Sequence, residues 1–285
     1  MDTAAIMDHV LAAGKSIEAF TAQIRPIAMD QNVVLSIAIG YFILVQLVNP
    51  PSKSQPVKLG TAVTFLVFLH NVALCAYSAW TFYNTGPVWI QRLLDGENFF
   101  HTFCDLDGVY WKQTLDKYAY LFYLSKYYEF IDTVILLMKN RRVGLLQSYH
   151  HTGAVITMFL LVESQATACW IFVVFNSFIH TIMYAYYAAS TIGIHFPFKQ
   201  LITISQITQF LVGSCFGVFY IFCPGCAKRL DEGFSWGSER TSIAVTVVYL
   251  IPLTYLFFDF AFRTYGKKAR SSKSNGHTGK PLKEE

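Results

Sequence analysis

Long apolar runs separated by short polar connections make up most of this chain. Seven runs approach the roughly 20 residues that a helix needs to cross the apolar core of a bilayer. The first and fourth are short and the third contains charges, so a count by hydropathy alone would give six. The pattern predicts an all-α membrane protein with seven transmembrane helices. The runs cover residues 31–49, 61–83, 117–138, 147–163, 167–191, 201–222 and 243–264.

Composition agrees with a membrane protein rather than a soluble domain. Of the 285 residues, 54% are hydrophobic and only 14% are charged, whereas soluble domains contain about 25% charged residues. The net charge of +4 is small, and the basic residues collect at the ends of the runs, so no nucleic-acid-binding surface is expected. Residues 1–30 mix charged and apolar positions and contain no signal-peptide core.

The basic residues predict the orientation of the chain in the membrane. More than half of the 22 lysines and arginines fall in the loops after the first, third and fifth runs or in the C-terminal tail. Because lysine and arginine accumulate on the cytosolic side, the C-terminus is expected in the cytosol. The chain then divides into a lumenal N-terminal segment (1–30), a transmembrane domain (31–265) and a polar tail (266–285) that is expected to be disordered.

Two adjacent histidines stand near the start of the fourth run. The segment reads Gln147-Ser148-Tyr149-His150-His151, and on a helix Gln147 faces both histidines one turn away. Ionisable residues are costly to place in lipid, so such a pair indicates a functional site. A single membrane histidine is explained equally well by a hydrogen bond between packed helices.

Charged residues interrupt the third run. Lys126, Glu129 and Asp132 recur at every third position and trace one side of a helix. Groups at that depth must pair or face a wet cavity. A salt bridge between Lys126 and Glu129 would account for two of them but leaves Asp132 unexplained.

The fifth and sixth runs place further polar groups at a similar depth. Each taken singly is explained by helix packing, but four runs would direct polar side chains into one region, open to the cytosol and closed on the far side. That concentration predicts an enzyme or transporter cavity. The residues are Asn176, His180, Met183 and Tyr187 in the fifth run and Thr203, Gln206 and Gln209 in the sixth.

The histidines also raise the question of a metal. His150, His151 and His180 would supply three nitrogens, enough for a catalytic zinc. Membrane di-iron oxygenases need more histidines than the eight present, and the neutral amide of Gln147 is a poor iron ligand. We therefore expect no metal and no other cofactor, and a desaturase or hydroxylase is disfavoured.

These blocks together resemble the ELO family of very-long-chain fatty acid elongases. One position departs from the family pattern, since Gln147 stands where the H-x-x-H-H box usually begins with histidine. This variant is similar to a branch acting on polyunsaturated acyl chains, including Δ9-specific elongases. The matching motifs are Lys126-x-x-Glu129-x-x-Asp132-Thr133, Gln147-x-x-His150-His151, Asn176-x-x-x-His180-x-x-Met183-Tyr184-x-Tyr186-Tyr187 and Thr203-x-x-Gln206-x-x-Gln209.

The resemblance implies a fold and a reaction. Six of the seven helices would form a ring around an acyl tunnel in the endoplasmic reticulum membrane. The enzyme would condense acyl-CoA, here a C18 polyunsaturated one, with malonyl-CoA to a 3-oxoacyl-CoA, carbon dioxide and CoA. Other enzymes of the elongation cycle are expected partners, and a homodimer is possible.

The resemblance also implies roles for the residues. His150 would be the nucleophile and form an acyl-imidazole, because no cysteine lies in the polar cluster. His151 and His180 would act as bases, orienting groups or hydrogen-bond donors, and Asn176 as a donor to an oxyanion. The remaining members of the motifs would contact substrate: Lys126, Glu129, Asp132, Tyr184, Tyr187, Thr203, Gln206 and Gln209. CoA phosphates would bind Lys139, Arg141 and Arg142, although the positive-inside rule explains these equally well.

Two far-side loops contain cysteines in an expected oxidising compartment. Cys104 lies in one loop, and Cys223 and Cys226 lie in the other. A disulfide between the loops is predicted, with Cys226 the preferred partner of Cys104. The alternative is a local Cys223–Cys226 pair, a redox-type spacing that lacks its usual βαβ context.

A seven-helix receptor or transporter is the main alternative to an enzyme. The span count alone allows it. The concentration of His, Glu, Asp and Lys at one depth, and the lack of paired spans interrupted by Gly or Pro, both argue against it.

Overall fold

The structure is a computed structural model that describes residues 3–226 and 237–266. Helices are the main regular structure of these residues, and none of them forms a strand. Single π-helical turns precede α5 (Trp111–Leu115), join α8 to α9 (Phe172–Asn176) and follow α11 (Phe262–Gly266). The helices are α1 (Thr3–Ala28), α2 (Gln31–Val48), α3 (Thr61–Asp95), α4 (Phe99–Phe103), α5 (Asp116–Tyr128), α6 (Phe130–Met138), α7 (Leu145–Glu163), α8 (Cys169–Ile171), α9 (Ser177–Thr191), α10 (Lys199–Phe222) and α11 (Glu239–Ala261).

Five helical segments are long and apolar enough to cross a membrane, which makes the chain a multi-pass membrane protein. They are Gln31–Val48, Thr61–Asp95, Cys169–Thr191, Lys199–Phe222 and Glu239–Gly266. Two of the seven expected spans are not long and apolar enough to be counted. The third run is divided at Glu129 into α5 and α6, and α7 contains the polar Gln147, His150 and His151, which lower its mean hydropathy.

The bundle has two chemically different ends. At the first, the connection between α6 and α7 pairs with the segment after α2, since Asn49 Nδ2 donates to the Val143 carbonyl at 2.9 Å and Val57 N donates to the Lys139 carbonyl at 2.9 Å. We call this the basic end, defined by Lys58, Lys139, Arg141 and Lys199.

The opposite end, the disulfide end, is defined by a bond between Cys104 and Cys226. Of the two pairings considered above, the structure contains this one, and Cys223 is free. Aromatic rings fill the bundle behind it, and Trp170 Nε1 donates to the Tyr220 hydroxyl at 3.0 Å. Trp170 is buried there, whereas Phe99, on the short helix before Cys104, is exposed.

Pairwise contacts join the long helices. Helix α3 packs on α9, α9 on α10, α10 on α11, α11 on α7, α7 on α5, and α5 on α3. Helix α2 packs on α7 from outside. The N-terminal segment 1–30 contains α1, whose end is held to α5 by the Arg25–Asp116 ion pair at 2.7 Å. The predicted disorder of the tail concerns residues 267–285, which lie outside the described residues.

Removing the disulfide should destabilise the protein. It closes a loop of 122 residues in sequence separation, and a disulfide of this kind contributes about 2–4 kcal/mol. Cys104→Ser is therefore expected to lower the melting temperature in detergent clearly. Cys223→Ser, which removes a free thiol three residues from Cys226, is the matched control and should leave the melting temperature near that of the parent. Equal melting temperatures for the two variants would contradict the assignment.

Candidate active site

A cavity of about 720 Å³ extends into the bundle from the basic end. Side chains of α3, α6, α7, α9, α10 and α11 line it, so it collects residues far apart in sequence. Most of the residues singled out above lie on its wall. They are Glu129, Asp132, Lys139, Arg141, Gln147, His150, His151, His180, Tyr184, Tyr187, Thr203 and Gln206.

Four of the predicted residues do not line the cavity. Lys126 and Asn176 are buried directly behind the wall, where they contact each other. Gln209 is buried, and its Oε1 has no hydrogen-bond partner among the described residues. Arg142 is exposed next to Arg141. Of the sixth-run residues, Gln206 donates to Met183 Sδ at 3.3 Å and Thr203 pairs with the Tyr265 hydroxyl at 3.1 Å.

Helix α7 presents two histidines to the cavity in different settings. His150 is partly exposed, and its Nδ1 lies 3.2 Å from the hydroxyl of Tyr249 on α11. His151 is buried, and the amide of Gln147 donates to its Nε2 at 2.7 Å. An amide nitrogen can only donate, so His151 carries its proton on Nδ1. That Nδ1 is buried and has no partner among the described residues.

Hydroxyl groups of two other helices hold Gln147. Its Nε2 also lies 3.5 Å from the Thr133 hydroxyl, which pairs with the Tyr41 hydroxyl at 2.7 Å. The Tyr41 ring stacks on Phe130 with the centroids 4.0 Å apart. The chain Tyr41–Thr133–Gln147 thus couples α2 and α6 to the imidazole of His151.

A buried ion pair supports the third histidine. Lys126 Nζ donates to Glu129 Oε1 at 2.6 Å and approaches Asn176 Oδ1 at 3.4 Å. The same Glu129 oxygen lies 3.8 Å from Nδ1 of His180. The salt bridge expected as the structural explanation is therefore present, and it also reaches the cavity through His180.

Local breaks in helical geometry position this group. Glu129 stands between α5 and α6 with φ −63° and ψ −12°, which turns its carboxylate toward α9. Asn176 ends the π-helical turn Phe172–Asn176. Such turns are rare and occur often at functional sites.

Asp132 belongs to a second polar cluster that the sequence did not reveal. Its Oδ1 lies 3.0 Å from His70 Nε2, and its Oδ2 accepts a hydrogen bond from the Tyr184 hydroxyl at 2.8 Å. His70 Nδ1 in turn lies 3.3 Å from the Tyr128 hydroxyl. The available signal was the lone histidine in the second apolar run, and nothing in the sequence pointed to Tyr41, Tyr128 or Tyr249.

The mouth of the cavity is cationic. Lys139, Arg141 and Lys199 line it, and an adjoining hollow of about 510 Å³ adds Lys58. Partial burial lowers the pKa of the Lys139 ammonium, and neighbouring Arg141 lowers it further. A bound anion would relieve that repulsion. Among the described residues, no three His, Cys, Asp or Glu side chains are grouped to hold a metal ion.

The fold and the site define a multi-pass helical membrane protein with a histidine-lined, cation-rimmed cavity. The chain belongs to the ELO family, described as the GNS1/SUR4 family, whose model matches residues 26–273. Fatty acid elongase sre1 of Dictyostelium discoideum is 34% identical over 214 residues, covering 75% of this chain and 77% of that protein.

Two other relatives have similar coverage. Very long chain fatty acid elongase 5 of Tachysurus fulvidraco is 30% identical over 74% of this chain and 68% of its own length. Very long chain fatty acid elongase 6 of Homo sapiens is 28% identical over 72% of this chain and 76% of its own length. The family resemblance is thereby confirmed, and the receptor or transporter alternative is set aside.

Replacing Glu129 should be far more damaging than replacing an exposed ion-pair partner. The side chains of Lys126 and Glu129 are each only 4% exposed. Glu129→Gln therefore leaves the Lys126 ammonium buried without a counter-charge, which lowers stability by about 3–5 kcal/mol. Asp116→Asn is the control, because the Arg25–Asp116 pair is 40% and 35% exposed and such pairs contribute about 0–1 kcal/mol. Melting temperatures in detergent measure both, and similar losses would refute the distinction.

Proposed function

We propose that this protein is a 3-oxoacyl-CoA synthase of fatty acid elongation. It condenses acyl-CoA with malonyl-CoA and releases carbon dioxide and CoA, giving a 3-oxoacyl-CoA two carbons longer. The observation that carries the proposal is the convergence of His150, His151 and His180 on one cavity with a cationic mouth. Acyl transfer needs a nucleophile and donors for a developing oxyanion, and CoA carries phosphates that lysine and arginine bind.

In the first half-reaction, His150 attacks the thioester. Its Nε2 forms a bond to the acyl carbonyl carbon, the carbon–sulfur bond breaks, and CoA leaves as the thiolate. The partial exposure of His150 supports this role, because His151 and His180 are buried more deeply. The carbonyl oxygen becomes negative during attack, and a hydrogen-bond donor nearby lowers that barrier.

In the second half-reaction, malonyl-CoA loses carbon dioxide and its C2 carbanion attacks the acyl-imidazole. The new carbon–carbon bond forms, the carbon–nitrogen bond breaks, and His150 is regenerated. The Nδ1 proton of His151 and the amide of Asn176 suit donation to the enolate oxygen, since Asn176 Oδ1 faces Lys126. His180, whose Nδ1 lies 3.8 Å from a Glu129 oxygen, suits a role as general acid or base.

The cationic mouth is proposed as the site for the CoA phosphates. Lys139 and Arg141 on one side and Lys199 on the other would bind them, with the exposed Arg142 alongside. Tyr187 and Thr203, near the mouth, would contact the part of the substrate next to CoA. The acyl chain would then lie inward, past Asp132, Tyr184 and Gln206. Gln209 would act one turn deeper.

We further propose seven crossings, with six helices in a ring around an acyl tunnel. Helices α5 and α6 together, and α7, connect the same two ends of the bundle as the five longer helices, and the helix contacts close into a circle. Tyr265, after α11, contacts Thr203 near the basic end. If that end faces the cytosol, the C-terminus does too. The membrane is proposed to be that of the endoplasmic reticulum, where the other elongation enzymes act. The protein is proposed to form a homodimer there.

The proposed acyl substrate is a C18 polyunsaturated chain of the Δ9-elongase type. The support is Gln147, whose amide donates to His151 where the family usually has a histidine. The side-chain amide of Gln147 is a neutral donor that keeps its hydrogens, unlike the histidine usually found there, whose ring nitrogens gain and lose protons.

Removing the nucleophile should abolish the reaction. With labelled malonyl-CoA and an acyl-CoA, His150→Ala is expected to form no 3-oxoacyl-CoA while keeping the parent melting temperature. His101→Ala, which removes an exposed histidine at the disulfide end, is the control and should keep full activity. Near-normal condensation by His150→Ala would reject the acyl-imidazole.

The substrate proposal has a separate test. A panel of acyl-CoAs should give the highest kcat/KM with C18 polyunsaturated chains, and Gln147→His should lower the ratio of polyunsaturated to saturated activity. If saturated chains are preferred, or if the ratio is the same in Gln147→His, Gln147 does not determine the substrate.

A further inference from the structure

Tyr249 of α11 contacts His150 at two points. Its hydroxyl donates to the His150 backbone carbonyl at 3.0 Å, and the same oxygen lies 3.2 Å from Nδ1 of the imidazole. The Tyr249 side chain is 9% exposed, so solvent does not compete for these bonds. No motif in the sequence marked this residue.

The proton count decides what this contact does. A phenol has one proton to donate, and here the backbone carbonyl takes it. Toward Nδ1 the phenol oxygen can therefore only accept, so Nδ1 must carry the hydrogen. The neutral imidazole of His150 then has its lone pair on Nε2, and a neutral nitrogen with a free lone pair is what acyl transfer requires.

Gly153 makes room for this arrangement. It lies three residues after His150 on the same face of α7, and a Cβ there would stand 2.0 Å from Cε2 of Tyr249. Any larger residue would push the ring away from α7. On the other side Tyr149 stacks on Tyr249 with the centroids 5.4 Å apart, and its hydroxyl donates to the Tyr249 carbonyl at 3.2 Å.

We propose that Tyr249, seated against Gly153, is a positioning residue that holds His150 as the Nδ1–H tautomer. The inference rests on the proposed function, in which His150 is the nucleophile. As Nε2 bonds to the acyl carbon and CoA leaves, the ring becomes positive. The Nδ1–H bond to the phenol oxygen stabilises that charge, and the proton remains on Nδ1 when the carbanion displaces the neutral imidazole.

The first experiment isolates acyl transfer by measuring CoA release from acyl-CoA without malonyl-CoA. Tyr249→Phe is expected to slow it by about tenfold, the range that a neutral hydrogen bond controls. The change should fall on the limiting single-turnover rate constant rather than on the acyl-CoA concentration that gives half of it, because without malonyl-CoA each enzyme releases CoA once. Tyr149→Phe removes a neighbouring hydroxyl that does not touch the imidazole, and it should release CoA at the parent rate.

The second experiment separates the tautomer from mere packing. Nδ1-methylhistidine introduced at position 150 by genetic code expansion forces the lone pair onto Nε2. In Tyr249→Phe the methyl group occupies the space of the lost hydroxyl, so CoA release should recover to within a few-fold of the parent. With Tyr249 intact, the same methyl group meets the hydroxyl and should slow the reaction.

Gly153→Ala supplies a third variant. It should slow CoA release as Tyr249→Phe does, and the double variant should be no slower than the slower single one, because both act through one contact. If Gly153→Ala does not fold, the two preceding measurements still test whether Tyr249 sets the tautomer of His150.

The outcomes separate the inference from the function. Parent-like rates in Tyr249→Phe, or no recovery with Nδ1-methylhistidine, would overturn the tautomer assignment and leave His150 as nucleophile. CoA release by His150→Ala at the parent rate would instead overturn the acyl-imidazole itself.

Discussion

Lys126 and Glu129 form an ion pair at a depth where burying either charge alone would be costly. Each is almost fully removed from solvent, and an unpaired charge at such a depth costs several kcal/mol. Their pairing fixes the junction between α5 and α6, draws Asn176 of the π-helical turn toward Nζ and places a carboxylate near His180. Two segments distant in sequence are thereby held in one register around the cavity.

Much of this arrangement was readable from residue spacing. Lys126, Glu129 and Asp132 at every third position predicted one side of a helix. His150 with His151 predicted a functional site, because ionisable residues are costly to place in lipid and usually serve a function there. Five of the seven residues named in the fifth and sixth runs line the cavity, whereas Asn176 and Gln209 are buried away from its wall.

What the sequence did not predict depends on tertiary packing. Tyr249 becomes important only because α11 crosses α7 at Gly153, and a tyrosine in an apolar run gives no signal of that. In the sequence His70 is a lone histidine, and only the tertiary structure brings it beside Asp132, which also binds Tyr184. The division of the third run at Glu129 also escaped prediction, since periodicity continues across it.

The disulfide places a condition on how the chain is threaded through the bilayer. Two sulfurs can bond only on one face of a membrane, so the segments that traverse it between Cys104 and Cys226 must be even in number. The two long helical segments in that interval, Cys169–Thr191 and Lys199–Phe222, already satisfy this parity. Adding the α5–α6 unit without α7, or α7 without that unit, would violate it. If the five long segments all cross, the α5–α6 unit and α7 must therefore both cross or both stay out, and a total of six is incompatible with the disulfide.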